Sequence, residues 1–131
     1  MREKILECLG TFPEKTNLNL IELESIDKES YIQKLIEYNV EEDERVKSYL
    51  LIPKEVKKAP GILAIHQHHG NCNIGKSEVV GLTNDEMYSY GVDLVKRGYV
   101  VIAPDIICFE DRKGNGKFDV DRESRSKYER F

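Results

Sequence analysis

The chain has 131 residues, of which 40% are hydrophobic and 34% charged, with a formal net charge of −4. That length suits one domain with a real core and is too short for two ordinary ones. The acidic balance excludes a nucleic-acid binder held by excess positive charge, and no apolar run approaches the roughly 20 residues of a membrane span.

Residues 2–9 place Ile5, Leu6 and Leu9 on one face, which predicts a short amphipathic helix ended by Gly10 and Pro13. The same segment carries acidic residues and no apolar signal core, so no secretion peptide is expected. Three strands follow, at 18–26, 31–40 and 45–52. Their alternation of apolar and polar residues predicts antiparallel strands with one wet face. The acidic run Glu41-Glu42-Asp43-Glu44 reads as a solvated hairpin connection between the last two.

The pattern changes at Pro60. Residues 61–65 (Gly-Ile-Leu-Ala-Ile) form a continuous apolar run, as expected of a strand covered on both faces. A glycine-bearing loop leads into helical spacing at 85–97, with Thr83 or Asn84 as cap and Gly98 as stop. Residues 99–103 (Tyr-Val-Val-Ile-Ala) give a second buried-strand signal, ended by Pro104. Strand, loop, helix and strand in that order predict a parallel βαβ unit. The expected organisation is therefore one α/β domain. A helix fills 1–15, antiparallel strands 16–58, the βαβ unit 59–105, and an exposed charged segment 106–131.

All three histidines lie in His66-Gln67-His68-His69-Gly70, directly after the first buried strand. Ligands of open α/β sheets bind beyond the carboxyl ends of parallel strands, and Asp105 and Cys108 follow the second strand to that same edge. Three chemistries compete for this loop. Residues 70–77 (Gly-Asn-Cys-Asn-Ile-Gly-Lys-Ser) fit the phosphate-cradling G-x-x-x-x-G-K-[ST], but Gly81 and Asn84 break the helix that should follow. His66 and His68 have H-x-H spacing, yet a zinc set would need Asp105, Cys72 or Cys108 to complete it. A calcium loop at 111–117 is disfavoured by Lys113, which stands where a carboxylate belongs. The third chemistry is an oxyanion loop, whose backbone N–H groups stabilise a developing alkoxide.

The oxyanion alternative is strengthened by a family likeness. Ile65-His66-Gln67-His68-His69-Gly70 and Gly75-Lys76-Ser77-Glu78-Val79-Val80-Gly81-Leu82 resemble the oxyanion loop and its extension in the dienelactone-hydrolase and acetyl-xylan-esterase-like branch of the α/β-hydrolases. Residues 94–105 (Leu-Val-Lys-Arg-Gly-Tyr-Val-Val-Ile-Ala-Pro-Asp) are similar to that branch's first helix and next strand, and 107–112 to the loop after it. The likeness covers about residues 30–125. It implies a serine hydrolase of esters or related acyl compounds, with a small-molecule acyl substrate and no cofactor, metal, nucleic-acid or membrane partner. Residues 66–70 would form the oxyanion loop, with the Gln67 or His68 N–H as donor, and Asp105, Cys108 and Arg112 would form a pocket wall.

No G-x-S-x-G elbow is present, and no histidine follows His69. The chain is therefore expected to be the amino-terminal half of such an enzyme and inactive by itself. The competing classes are a nucleotide-binding module at 70–77 and a non-catalytic domain that oligomerises. An unpaired edge at 99–103 is expected to drive self-association or to be covered by folding back the segment from Asp111 to Phe131. The odd cysteine count (Cys8, Cys72, Cys108) argues against a disulfide scaffold and for a reducing, cytoplasmic setting.

Overall fold

A computed structural model describes residues 2–9, 14–68 and 71–113. Helix α1 (Arg2–Leu9) comes first, then strands β1 (Ile21–Asp27), β2 (Tyr31–Glu41), β3 (Glu44–Pro53) and β4 (Gly61–Leu63). A single helical turn α2 (Lys76–Val79), a 3-10 turn (Glu86–Tyr88) and helix α3 (Tyr90–Lys96) lead to β5 (Val100–Pro104) and a second 3-10 turn (Glu110–Arg112). The fold is α/β, as expected.

The five strands form one mixed sheet in the order β1-β2-β3-β5-β4. The β1–β2, β2–β3 and β3–β5 pairs are antiparallel, and β4–β5 is parallel. Alternation in 31–53 reported the two long strands correctly, and the acidic residues do form their turn, with Glu41 opposite Glu44. Buried Leu51, Val101 and Ala103 on the sheet meet Val79 of α2, Val80 just after it and Val95 of α3, and Tyr31 and Ala64 join the same cluster. Complete burial of a valine or leucine side chain is worth about 1.5–3 kcal/mol, so this layer carries much of the fold's stability.

Helix geometry is tight where α2 meets α3. A Cβ on Gly91 would stand 2.7 Å from the Val79 carbonyl oxygen, so only glycine lets the two helices approach this closely. Gly98 ends the α3 segment with φ +92, the left-handed turn expected after Lys96-Arg97.

Three expectations are corrected, and a fourth is met with a qualification. The helix expected over 85–97 is divided into the 3-10 turn and α3, and its cap is Asp85, which accepts the Met87 N–H at 3.1 Å. Strand 61–65 is shorter than expected and not covered on both faces, because Leu63 and Ile65 are exposed. The strand at 99–103 has no free edge. β5 lies inside the sheet between β3 and β4, so the open margin belongs to β4. Finally, α1 exists but buries none of its residues; Gly10 and Pro13 lie outside the described residues, as does the charged segment beyond Lys113. Among the described residues, no helix is long and apolar enough to cross a membrane.

Candidate functional site

The parallel pair delivers two loops to one edge of the sheet, 64–75 after β4 and 105–113 after β5. Alternation continues past the end of β4, so Ala64 and His66 turn inward while Ile65 turns outward. His66 is buried, and its ring bridges the two loops. Nε2 accepts the Ile106 N–H at 3.1 Å. Nδ1 therefore carries the proton and donates to the Gln67 carbonyl at 3.0 Å. With both ring nitrogens engaged, His66 does not ligate a metal here, and the H-x-H zinc expectation fails at its first member. His68 is exposed and meets the Phe109 ring edge-on at 5.6 Å; His66 meets the same ring at 4.8 Å.

The Gln67 N–H, one of the two expected oxyanion donors, is given to Glu78 Oε1 at 2.9 Å. Glu78 is itself buried on α2, so its acceptor fixes the shape of the loop. His69 and Gly70 lie outside the described residues. A recess of about 300 Å³ is lined by Ile74, Glu78, Thr83, Asn84 and Asp85.

Beside this loop is a cluster built around Lys76. The Lys76 ammonium donates to Asp105 Oδ2 at 2.7 Å, to Glu110 Oε1 at 2.7 Å and to Asp111 Oδ2 at 2.5 Å. All three of its hydrogens are thereby satisfied. The ammonium also lies 5.8 Å from the centroid of the Tyr49 ring, within reach of a cation–π contact. Backbone amides complete the arrangement: the Lys76 N–H donates to Asp105 Oδ1 at 2.8 Å, and the Gly75 and Ser77 N–H groups donate to Glu110 Oε2. The Ser77 hydroxyl donates to that same oxygen at 2.8 Å. A Cβ on Gly75 would stand 2.4 Å from Asp105 Oδ1, which explains glycine at that position.

These contacts overturn the phosphate cradle. The amides of 75–77, the lysine and the serine hydroxyl are the groups that would hold phosphate, and the protein's own carboxylates already occupy them. An anion-binding arrangement has formed, but its anions are internal side chains. Asp105, Glu110 and Asp111 also bring carboxylate oxygens within 4.8 Å of one another, the spacing of a cation site, and the Lys76 ammonium takes the cation's place.

The charges explain the titration of the cluster. Burial alone would lower the Lys76 pKa, but hydrogen bonds to Asp105, Asp111 and Glu110 outweigh it and hold the ammonium well above its ordinary range. Three carboxylates around one ammonium leave negative charge in excess. Asp105, the most buried, is accordingly pushed up by desolvation, which Lys76 only partly offsets. Burial also raises Asp111, but its bond to Lys76 and the nearby Lys47 prevail, and its carboxyl falls below the usual range.

The residues of the expected pocket wall have their own partners in the fold. Asp105 is buried and enclosed with Lys76. Arg112 braces the fold, donating to the Asp105 carbonyl at 3.1 Å and to the Glu44 carboxylate. Cys108 is half-buried at a left-handed φ of +78. From the sequence, Lys76 and Glu78 are expected only as part of the loop's extension, and Phe109, Glu110 and Asp111 only as part of the loop after the second strand, with no individual role. The only sequence signal for the cage was the acidic spacing 105, 110, 111 opposite a lone loop lysine.

Fold and loop placement together define an α/β protein whose mixed sheet is similar to that of a solved chain described as an esterase. The relatives agree. The chain is 27% identical over 124 residues to the Bacillus subtilis (strain 168) protein described as "Putative hydrolase YtaP", covering 93% of this chain and 42% of that one. A solved Bacteroides fragilis NCTC 9343 structure, described as a "putative acetyl xylan esterase", superposes with a TM-score of 0.67 at 20% identity, over 97% of this chain and 35% of that one. No protein-family model matches the chain. This chain thus spans well under half the length of either relative.

Proposed function

We propose that this chain forms part of a serine hydrolase of esters or related acyl compounds and contributes its oxyanion loop. The observation that carries this reading is the match of nearly the whole chain to a protein described as a hydrolase. Placement supports it: residues 66–68 leave the carboxyl end of a parallel strand, where acyl-transfer sites of this architecture assemble their donors. In such a reaction a serine attacks the carbonyl, a histidine moves its proton, and backbone N–H groups stabilise the alkoxide. One such donor contributes about 100- to 1,000-fold in rate. Because the Gln67 N–H is already given to Glu78, this reading favours the other expected donor, the His68 N–H. Gln67 and Glu78 set the loop's shape.

The dienelactone-hydrolase and acetyl-xylan-esterase branch is the best fit among such hydrolases, and a cytoplasmic setting suits three free cysteines. The test is a chimera in which residues 1–131 replace the matched region of the Bacillus subtilis relative, once that relative is shown to hydrolyse a short-chain aryl ester. Turnover within about tenfold of the parent supports the reading. A folded chimera with no turnover rejects it, as would turnover by the 131-residue chain alone that Ser77→Ala abolishes.

A further inference from the structure

Cys72 and Cys108 stand on the two loops that meet at the carboxyl edge of the sheet, one in 64–75 and the other in 105–113. Both carry free thiols and both are half-buried, whereas Cys8 is exposed on α1. The loops are joined at this very point. The Glu110 N–H donates to the Cys72 carbonyl at 2.8 Å, so Cys72 lies against the backbone two residues past Cys108. Further ties hold the loops on either side of the pair, from the Ile106 N–H to His66 and from Lys113 to Asn73 Oδ1.

Side-chain direction adds to this closeness. Phe109 is extended, with φ −117 and ψ 148. The side chains of Cys108 and Glu110 therefore leave the chain on one side and Phe109 on the other. Glu110 uses that direction to accept the Gly75 and Ser77 N–H groups, at the end of the loop that carries Cys72. The same direction aims Cys108 at that loop. Cys72 in turn sits inside a turn closed by the Ile74 N–H on the Asn71 carbonyl. A disulfide asks for Cα atoms about 4.4–6.8 Å apart, the spacing of backbone segments that share a hydrogen bond.

We propose that Cys72 and Cys108 form a reversible disulfide, with glutathione disulfide as oxidant, that locks the two loops together. One cysteine thiolate attacks the oxidant, giving a mixed disulfide and releasing a first glutathione. The other cysteine then attacks the protein sulfur of that mixed disulfide and releases a second. The pair is oxidised by two electrons and gives up two protons, and both leave on the two glutathione thiols. In a reducing setting the bridge is open, and disulfides there are transient and sensing in kind. Closing it constrains the unfolded chain and braces the loop of 64–75 against that of 105–113. The inference does not rest on the reaction proposed above.

The test uses the chain with Cys8→Ser, so that only the pair remains. In a buffer of glutathione and its disulfide, the folded chain should lose two hydrogens in intact mass. A tryptic species joining residues 59–76 to 98–112 should appear and be reversed by dithiothreitol. The bridge should be favoured about tenfold more in the folded chain than in the same chain unfolded in urea, and the oxidised form should melt about 5 °C above the reduced one. With Cys72→Ser added, oxidation should leave a glutathione adduct on Cys108 and no such rise in melting. Adducts on both cysteines without a bridge, or disulfide-linked dimers in its place, would overturn the proposal. So would a bridge that forms as readily in urea as in the folded chain, or an equal rise in melting with Cys72→Ser.

Discussion

The Lys76 ammonium and the Asp105 carboxylate lie 2.7 Å apart with their side chains only 1% and 0% exposed. Two loops that follow different strands are joined at this contact. Removing the lysine leaves the buried Asp105 carboxylate beside two more carboxylates with no cation among them, and an uncompensated buried charge typically costs about 3–5 kcal/mol. Lys76→Met should therefore lower stability by about that amount in urea unfolding of the isolated chain. Lys76→Met combined with Asp105→Asn should cost less than the two single changes summed. Loss of under about 1 kcal/mol on Lys76→Met would show that the cage contributes nothing net.

The acids of the cage should act in opposite directions as pH falls. Asp111 titrates below its ordinary 3.8 in the folded chain, so its stabilisation is present above 3.8 and disappears as pH drops through the lower folded value. Asp105 is raised, so its ionised form costs stability at neutral pH, and protonation relieves that cost before 3.8 is reached. Melting curves from neutral to acid should show Asp111→Asn less stable than wild type at neutral pH and merging with it in acid. A gap between the two that stays constant across the acid range would contradict the assignment.

Glycine substitutions should discriminate sharply by position. Gly91→Ala drives a methyl against the Val79 carbonyl oxygen, and overpacking of this kind costs about 1–3 kcal/mol. Gly61→Ala meets nothing within 4 Å and should change stability by less than about 0.5 kcal/mol. Equal effects of the two in thermal unfolding would mean that α2 and α3 do not approach as closely as described.

Nucleotide should not bind. The amides of 75–77 and the Lys76 ammonium are committed to Glu110, Asp105 and Asp111, and phosphate would have to displace all three carboxylates. Titration calorimetry with ATP and magnesium should give no heat of binding. A micromolar affinity removed by Lys76→Ala would restore the phosphate cradle.

These contrasts show which features were legible in the sequence. The long hairpin was, because alternation in 31–53 and an acidic turn are local properties. So was the edge where the loops gather, since two apolar runs flanking a helical stretch imply a parallel pair. The insertion of β5 between β3 and β4 was not, because strand order depends on pairing between residues about 50 apart, such as Leu50 with Ile102. The cage escaped for a related reason. G-x-x-x-x-G-K-S describes amides and a cation arranged for anions, and nothing in those letters says whether the anions are phosphates or the protein's own carboxylates.

The cage also has a consequence for the order of events in folding. Its contacts bridge 29, 34 and 35 residues, and the ammonium gains from leaving water only when its carboxylates are in place to receive it. Such a contact belongs on the native side of the folding barrier, formed after the hairpin and the apolar layer have assembled. Lys76→Met should then accelerate unfolding while leaving the refolding rate nearly unchanged, a φ-value near zero in stopped-flow measurements. The lysine would act as a latch, slowing the opening of a structure it does little to build.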